Sequence, residues 1–424
     1  MRVREDLLHY VWRSRRFELS HLQTTAGASV EVLDFGQHNQ NAGPDFLNAK
    51  VKIGDTVWAG NIEMHVLSSD WMKHRHNEDR AYDNVILHVV LEEDLPIYSA
   101  MAERIPCLEL RKRIPLKLAN IYQRLQQNEH WIPCQHHFFE VSDFVKQMWM
   151  DRLLVERLEQ KTKLIELELA RNQNNWEETF YWFLARNFGV KVNAEPFEWL
   201  AKSLPLNILG KYKNSLTQIE ALLFGQADML TQDFKDDYPN ALKKEYDYLR
   251  HKHRLQPISG TSWKFMRMRP ANFPTIRIAQ FTALIHQSVH LFSKILEAED
   301  IKAIEQLFRV EVSDYWQTHY VFEKTSEARH KRLGKSTIHL LLINTIGPFL
   351  FHYGTQRDIE AQRKKALQLL EQLPPESNRI ITGWKALGMS PKSAYETQAL
   401  IQLKNAYCNQ AKCLDCAVGH AILK

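Results

Sequence analysis

Cysteine is scarce and odd in number, five in 424 residues, which argues against the paired disulfide framework of a small secreted scaffold. Glycine is sparse too, at 15 residues, while Phe, Tyr and Trp are plentiful. That balance disfavours an all-β design and suits long helices packed through large side chains. No uninterrupted apolar run reaches the roughly 20 residues needed to span a bilayer. The opening MRVREDLLHY has no apolar signal core, so the sequence predicts a cytoplasmic protein without a membrane partner. No fixed-period repeat occurs, which argues against a solenoid. The net charge of +5 is small, so it neither demands nor excludes a polyanionic partner. A chain of this length normally makes two or more domains.

What is present begins with the stretch from Ser29 to Val90, read as three consecutive strands. Ser29 to Phe35 is β-branched and apolar and ends at Gly36. Phe46 to Ile53 alternates apolar and polar residues and stops at Gly54-Asp55. Thr56 to Val66 carries the third strand, bent or bulged at Gly60. Asp45 stands at the mouth of the second strand. Glu63 and His65 lie two apart on the third and project from one face. In a meander, two carboxylates and an imidazole then converge, a set able to hold a magnesium-type ion and activate its water. The alternative is a half-exposed strand whose acids and histidine face solvent.

A helix over Glu5 to Arg16 precedes these strands. A polar, helix-forming segment from Trp71 to Tyr82 follows them, and then comes the apolar run Val85 to Leu91, suited to a buried strand. This succession, with Pro44-Asp45 and Glu63-Met64-His65, resembles the PD-(D/E)XK nuclease superfamily over about the first quarter of the chain. The resemblance implies an Asp opening the second strand and an acid-x-Lys on the third. Here His65 stands in the lysine's place, and a neutral imidazole can accept a proton but supplies no permanent cation.

The histidines of this region, His65, His74, His76 and His88, share their span with Asp79 and Asp83. Such a mixture has the composition of a metal or acid/base site. His74 and His76 also read as exposed loop residues. His88 interrupts an apolar strand and must find a buried partner.

Arg111 to Gln135 reads as a connector with a helix over Leu116 to Gln127. From about Val141 the pattern becomes helical: Asn175 with Glu178 resembles a capping box, Pro374-Pro375 separates two helices, and Ile338 to Phe351 reads as a buried helix ended by Gly347-Pro348. The fold class expected is α+β, with an α/β domain over 1–135 and an all-helical domain over 141–424. Within the latter, Arg250, Lys252, Arg254, Lys264, Arg267 and Arg269 interleave with Tyr246, Tyr248, Trp263 and Phe265. Cations beside aromatic faces suit a nucleic-acid groove; the same residues also suit a solvated helix face over core aromatics. Gly334-Lys335-Ser336 imitates the end of a phosphate-binding loop but lacks its first glycine and its strand.

The chain closes on Cys408, Cys413 and Cys416, followed by His420. Three thiols so spaced can share a metal: zinc with His420 as fourth ligand, or an iron–sulfur cluster completed by Cys134 or Cys107. Some nucleases of the superfamily resembled above tie their C-terminus back with one distant and three C-terminal cysteines. Buried, idle thiols are the alternative.

Nearly end to end, the chain also resembles an uncharacterised bacterial family, domain of unknown function 2851. The phrases that carry this are Asn41-Ala-Gly-Pro-Asp45-Phe, Gly60-Asn-Ile-Glu63-Met-His65, Asp83-Asn-Val-Ile-Leu-His88, Arg269-Pro-Ala-Asn-Phe-Pro274 and Cys413-Leu-Asp-Cys416. No activity comes with that resemblance. The residues themselves lead to a metal-dependent nuclease-like protein in which Asp45 and Glu63 hold Mg²⁺ or Mn²⁺ and His65 orients or deprotonates the water. Glu5 or Glu18 would complete the shell, with His88 and Asp79 in support. A non-enzymatic nucleic-acid-binding or scaffold protein on a degenerate nuclease-like fold is the competing expectation, and a zinc hydrolase using His74, His76 and His88 is a third.

Overall fold

The structure, a computed structural model, describes residues 4–39, 41–99, 102–127 and 130–424. Two compact units emerge: residues 1–151 with 401–424, and residues 152–400. The sequence led us to place the boundary at 135–141 and the cysteine-rich end with the helical part. Instead the C-terminal segment closes back on the first unit, tied by Gln126 to the Ala411 carbonyl (3.2 Å), Arg13 to the Leu414 carbonyl (2.8 Å) and Lys404 to the Trp131 carbonyl (2.6 Å).

The first unit is built on a six-stranded mixed sheet. Its strands are β1 (Val30–Asp34), β2 (Gln37–His38), β3 (Phe46–Ile53), β4 (Thr56–Leu67), β5 (Val85–Glu92) and β6 (Cys107–Glu109), in the order β1-β3-β4-β5-β6 with β2 beside β3. The meander β1-β3-β4 is antiparallel, whereas β5 runs parallel to β4 and β6 parallel to β5. Val85 to Leu91 is buried along its whole length, as a strand covered on both faces must be. Helix α1 (Glu5–Arg13) buries Leu7, Leu8, Tyr10, Val11 and Trp12. The Trp12 indole donates to the Phe35 carbonyl at 3.0 Å, so the helix is pinned to the meander by a bond as well as by apolar area.

Parallel strands need a crossover, and here residues 68–84 supply it. The expected helical segment is only one helical turn, α2 (Asp70–Lys73), followed by two 3₁₀ turns. Arg75 takes a left-handed backbone at φ 59°, and the charged run after it offers no apolar stripe to pack. The crossover therefore folds back as a loop, and that loop brings His74 and His76 into play.

In the second unit the Asn175 side chain accepts from the Glu178 N–H at 3.1 Å and caps the helix Trp176–Phe188 as expected. The helix expected to end at Gly347-Pro348 continues instead to Gln356 through a π turn over Leu342–Ile346. The wider turn lets the chain pass a proline that has no N–H to give. This unit is not all helical: β7 (His319–Val321) and β8 (Lys324–Thr325) form a small hairpin, turned at Glu323 with φ 63°. No described helix is long and apolar enough to cross a membrane.

Candidate metal centre

Asp45 and Glu63 meet at the junction of β3 and β4, and each fixes the other's strand. The Met64 N–H donates to Asp45 Oδ2 at 2.9 Å, and the Asp45 N–H donates to Glu63 Oε2 at 3.1 Å. One oxygen of each carboxylate is thus held by backbone. Glu63 is only 4% exposed, and burial pushes its carboxyl up to about 7, with Asp45 adding to the rise and His76 opposing it.

Around Glu63 stand imidazoles from three separate segments. His65 Nε2 is 3.6 Å and His76 Nε2 is 3.1 Å from Glu63 Oε1. His65 Nε2 is also 3.1 Å from His74 Nδ1. One ligand atom each from His65, His74 and His76 can be chosen so that all lie within 4.8 Å of one another. On its other side, His65 Nδ1 lies 2.9 Å from Nε2 of His88, which stands opposite Glu63 in the parallel pair β4–β5. Burial, then the neighbouring imidazoles His88, His76, His74 and His9, lower the pKa of His65 to about 2. Burial and His76 take His88 down to about 4. Both rings are therefore neutral near pH 7, the form in which imidazole binds a metal.

The donor set fits a divalent transition metal. His76 Nε2 is buried and, though close to Glu63, is not aligned for a hydrogen bond; His88 Nδ1 and His9 Nε2 are likewise buried without one. Orphaned buried nitrogens are costly, and a cation shared by His65, His74, His76 and Glu63 relieves that cost at His76. Three imidazoles and a carboxylate suit zinc, manganese or iron better than the all-oxygen shell that magnesium prefers. Aromatic rings stand beside the cluster, whose His74 is exposed: Tyr82 stacks on His76 at 3.8 Å, and Trp71 stands edge-on to His65, His76 and His88.

His9, a residue the sequence reading did not single out, joins from α1. Its Nε2 is 3.2 Å from Asp45 Oδ2. Burial works against its charge, but the Asp45 carboxylate beside it outweighs burial and raises the pKa above the usual imidazole value. His9 also lines a cleft of about 310 Å³ with Arg4, Arg13, His38 and Lys412. Glu5, one turn before His9, senses Asp45 and His74 and is raised chiefly by burial. Glu18 is exposed and bonded by Ser20, and Asp79 is exposed and caps its own 3₁₀ turn through the Ala81 N–H. Neither belongs to the cluster.

Arg250, Lys252, Arg254, Lys264, Arg267 and Arg269 are all exposed on the second unit. Of the aromatics interleaved with them, Trp263 is core and donates to the Ala227 carbonyl, and Tyr246 is core and bonded to Gln226. Tyr248 is exposed, with Lys252 Nζ 5.7 Å from its ring centre.

At the C-terminus, Cys413 and Cys416 are buried and Cys408 is half-buried; Cys134, before the helix Asp143–Arg171, is buried too. Burial raises all four thiols. Cys416, Cys134 and Cys413 push Cys408 further, and Cys134 and Cys416 act likewise on Cys413. His420 spends Nε2 on the Leu414 carbonyl and packs against Tyr10. Cys107 lies on β6 beside Glu93 and Arg104.

A family model described as "Protein of unknown function (DUF2851)" matches residues 5–379. No curated protein and no solved structure matches the chain.

Proposed function

The chain belongs to that family, whose activity is not known, so its function must be read from the site, and we propose a divalent-metal-dependent phosphodiester hydrolase of nuclease type. The observation that carries this reading is the set of His65, His74 and His76 ligand atoms within 4.8 Å of one another, beside the Glu63 carboxylate. Further support comes from the order helix, antiparallel meander β1-β3-β4 with the short β2 beside β3, crossover and parallel strand, with Asp45, just before β3, bonded to the β4 backbone next to Glu63.

A divalent ion held there would lower the pKa of its water and draw charge from a phosphoryl oxygen. In this reading His65 serves as a ligand, because both its ring nitrogens face other imidazoles and its pKa is far below neutrality. His65 Nδ1–H donates to His88 Nε2, which frees Nε2 for the ion. Asp45 takes the proton from the attacking water. His9, whose protonated form Asp45 favours, supplies in that form the cation that a neutral His65 cannot, and gives its proton to the departing alkoxide. Water and a phosphodiester thus become a phosphomonoester and an alcohol. Arg4, Arg13 and Lys412 in the adjoining cleft offer charges for further phosphates of a nucleic-acid strand.

The test is cleavage of labelled single- and double-stranded DNA and RNA by the full chain, metal-free and then with Mn²⁺ or Zn²⁺. Cleavage that requires the metal and disappears in His74→Ala and His76→Ala supports the assignment. Metal binding at these histidines without any cleavage overturns hydrolysis and leaves a nucleic-acid-binding or scaffold protein on the same frame.

A further inference from the structure

Arg13, at the end of α1, lines the cleft beside His9, and just beyond it Arg15 and Arg16 line a second cleft of about 680 Å³. Arg13 and Arg15 are so close in the chain that their α-carbons stand at most about 7 Å apart. Lys112, Arg113, Lys117 and Lys424 supply the other cations of this second cleft, and Glu18 is the one acidic side chain among its described lining residues. The cleft beside His9 is nearer to balance, since Asp6 and Asp415 stand among its Arg4, Arg13 and Lys412. In the second cleft the Glu18 carboxylate accepts from Ser20 Oγ at 3.0 Å. Arg16 donates to the Leu423 carbonyl at 2.9 Å, and Arg113 donates to the carbonyls of Ser20 and His21 at 3.0 and 2.9 Å. Those bonds hold two guanidiniums in place without neutralising them. Arg15, Lys112 and Lys117 are exposed, and none of the three has an ion-pair partner among the described residues.

Like charges gathered in one concavity repel one another, and its low-dielectric walls concentrate their field on whatever enters. A solvated basic face interleaves acids with its cations; this cleft concentrates one sign. We propose that it is a second phosphate track for a nucleic-acid strand, taking backbone phosphates beyond those that Arg4, Arg13 and Lys412 hold beside the histidine centre. The assignment rests on the nucleic-acid reading given above, though not on cleavage. A strand fits better than a lone anion because the cations are spread over three segments, the exit of α1, residues 112–117 and the C-terminal residues, and because the cleft next to it is basic as well. Leu116, 73% exposed in the same cleft, gives an apolar contact for a sugar or base. The helix Leu116–Gln126 opens there with no side chain capping its first N–H groups, so the positive end of its dipole adds to the cations. Contacts of this kind hold and orient a strand without reading its sequence.

The experiment is fluorescence-anisotropy binding of labelled single-stranded DNA and RNA by the full chain, metal-free and in a His74→Ala/His76→Ala background, over a range of salt concentrations. Binding is then read apart from cleavage. Lys112→Ala/Lys117→Ala removes two phosphate contacts, so the slope of log affinity against log salt should fall by about 1.4, roughly 0.7 for each contact on a single strand, and binding should weaken about tenfold at about 0.15 M salt. Lys112→Arg/Lys117→Arg should keep the parent slope, and Arg250→Ala/Lys252→Ala on the second unit should leave slope and affinity unchanged. No binding by the parent, an unchanged slope in folded Lys112→Ala/Lys117→Ala, or a loss that appears instead in Arg250→Ala/Lys252→Ala would overturn the proposal. Lysine-dependent binding by a wild-type chain that cleaves nothing with Mn²⁺ or Zn²⁺ removes the hydrolase and keeps the track. Metal-dependent cleavage by the wild-type chain, with a slope that the two lysines do not move, removes the track and keeps the hydrolase.

Discussion

His65 Nδ1 and His88 Nε2 lie 2.9 Å apart across the parallel pair β4–β5, and His88 Nδ1 is buried without a hydrogen bond. If His65 holds a metal through Nε2, its proton must sit on Nδ1 and be given to His88. His88 is then an outer-shell acceptor that fixes the tautomer of a ligand. His88→Leu keeps the strand apolar but removes that acceptor, and metal affinity should fall by about 10- to 100-fold. Competition with a chromophoric chelator measures this. Unchanged affinity would mean that His65 is not a ligand.

Asp45 and Glu63 each accept a backbone N–H, so their amide variants can keep the strand junction while losing the carboxylate. Asp45→Asn should leave the melting temperature nearly unchanged and lower metal-dependent cleavage by about 100-fold or more, the scale of a lost general base. Glu63→Gln should weaken metal binding as well. Thermal melts and single-turnover cleavage on the same preparations separate the two effects. A collapse in melting temperature for Asp45→Asn would show that the carboxylate serves the fold instead.

How much of this was legible in the chain differs residue by residue. Glu63 and His65 were placed on one strand by alternation, and Asp45 by the turn before β3, because those are local rules. His74 and His76 carried no spacing signal, since the crossover that returns them to β4 exists only once β5 has paired parallel to it. His9 was hidden for a similar reason: within α1 it is one polar residue among several on an amphipathic helix, and its partner Asp45 is distant in the chain. The place of the C-terminal segment on the first unit was not legible either, because the bonds that hold it, such as Gln126 to the Ala411 carbonyl, join residues far apart in the chain. The all-helical expectation for the second half missed β7 and β8 because strands of three and two residues leave no periodicity to read.

Gly60 permits the close approach of β4 to β5 beside this site. A Cβ there would stand 2.5 Å from Ile86 Cγ2 and 2.6 Å from the Asn84 carbonyl oxygen, just before the register shift at Asn61/Ile62. Gly60→Ala should therefore destabilise the first unit by about 1–3 kcal/mol, the ordinary cost of overpacking, and weaken metal binding through a displaced Glu63. Chemical denaturation followed by chelator competition tests both. Wild-type stability in Gly60→Ala would show that β4 and β5 have slack.

Glu220 offers a pH test in the second unit, independent of any metal. It is 1% exposed in the helix Leu216–Gln226 and accepts from Ser313 Oγ at 2.7 Å. Burial raises its pKa to about 6, against the lowering effect of bonds from Ser313 and Tyr238. A folded pKa above the unfolded value means the folded state favours the protonated acid. That contribution to stability is fully present below about pH 4.5 and is lost as pH rises through about 6. The loss amounts to about 2 kcal/mol by the usual conversion of pKa shift to free energy. Glu220→Gln keeps an acceptor for Ser313 and carries no charge at any pH. The stability difference, wild type minus variant, should therefore fall by about 1–2 kcal/mol between pH 4.5 and 7.5. Denaturant titrations at both pH values measure it, and a difference that stays flat would mean that folding does not shift the Glu220 pKa.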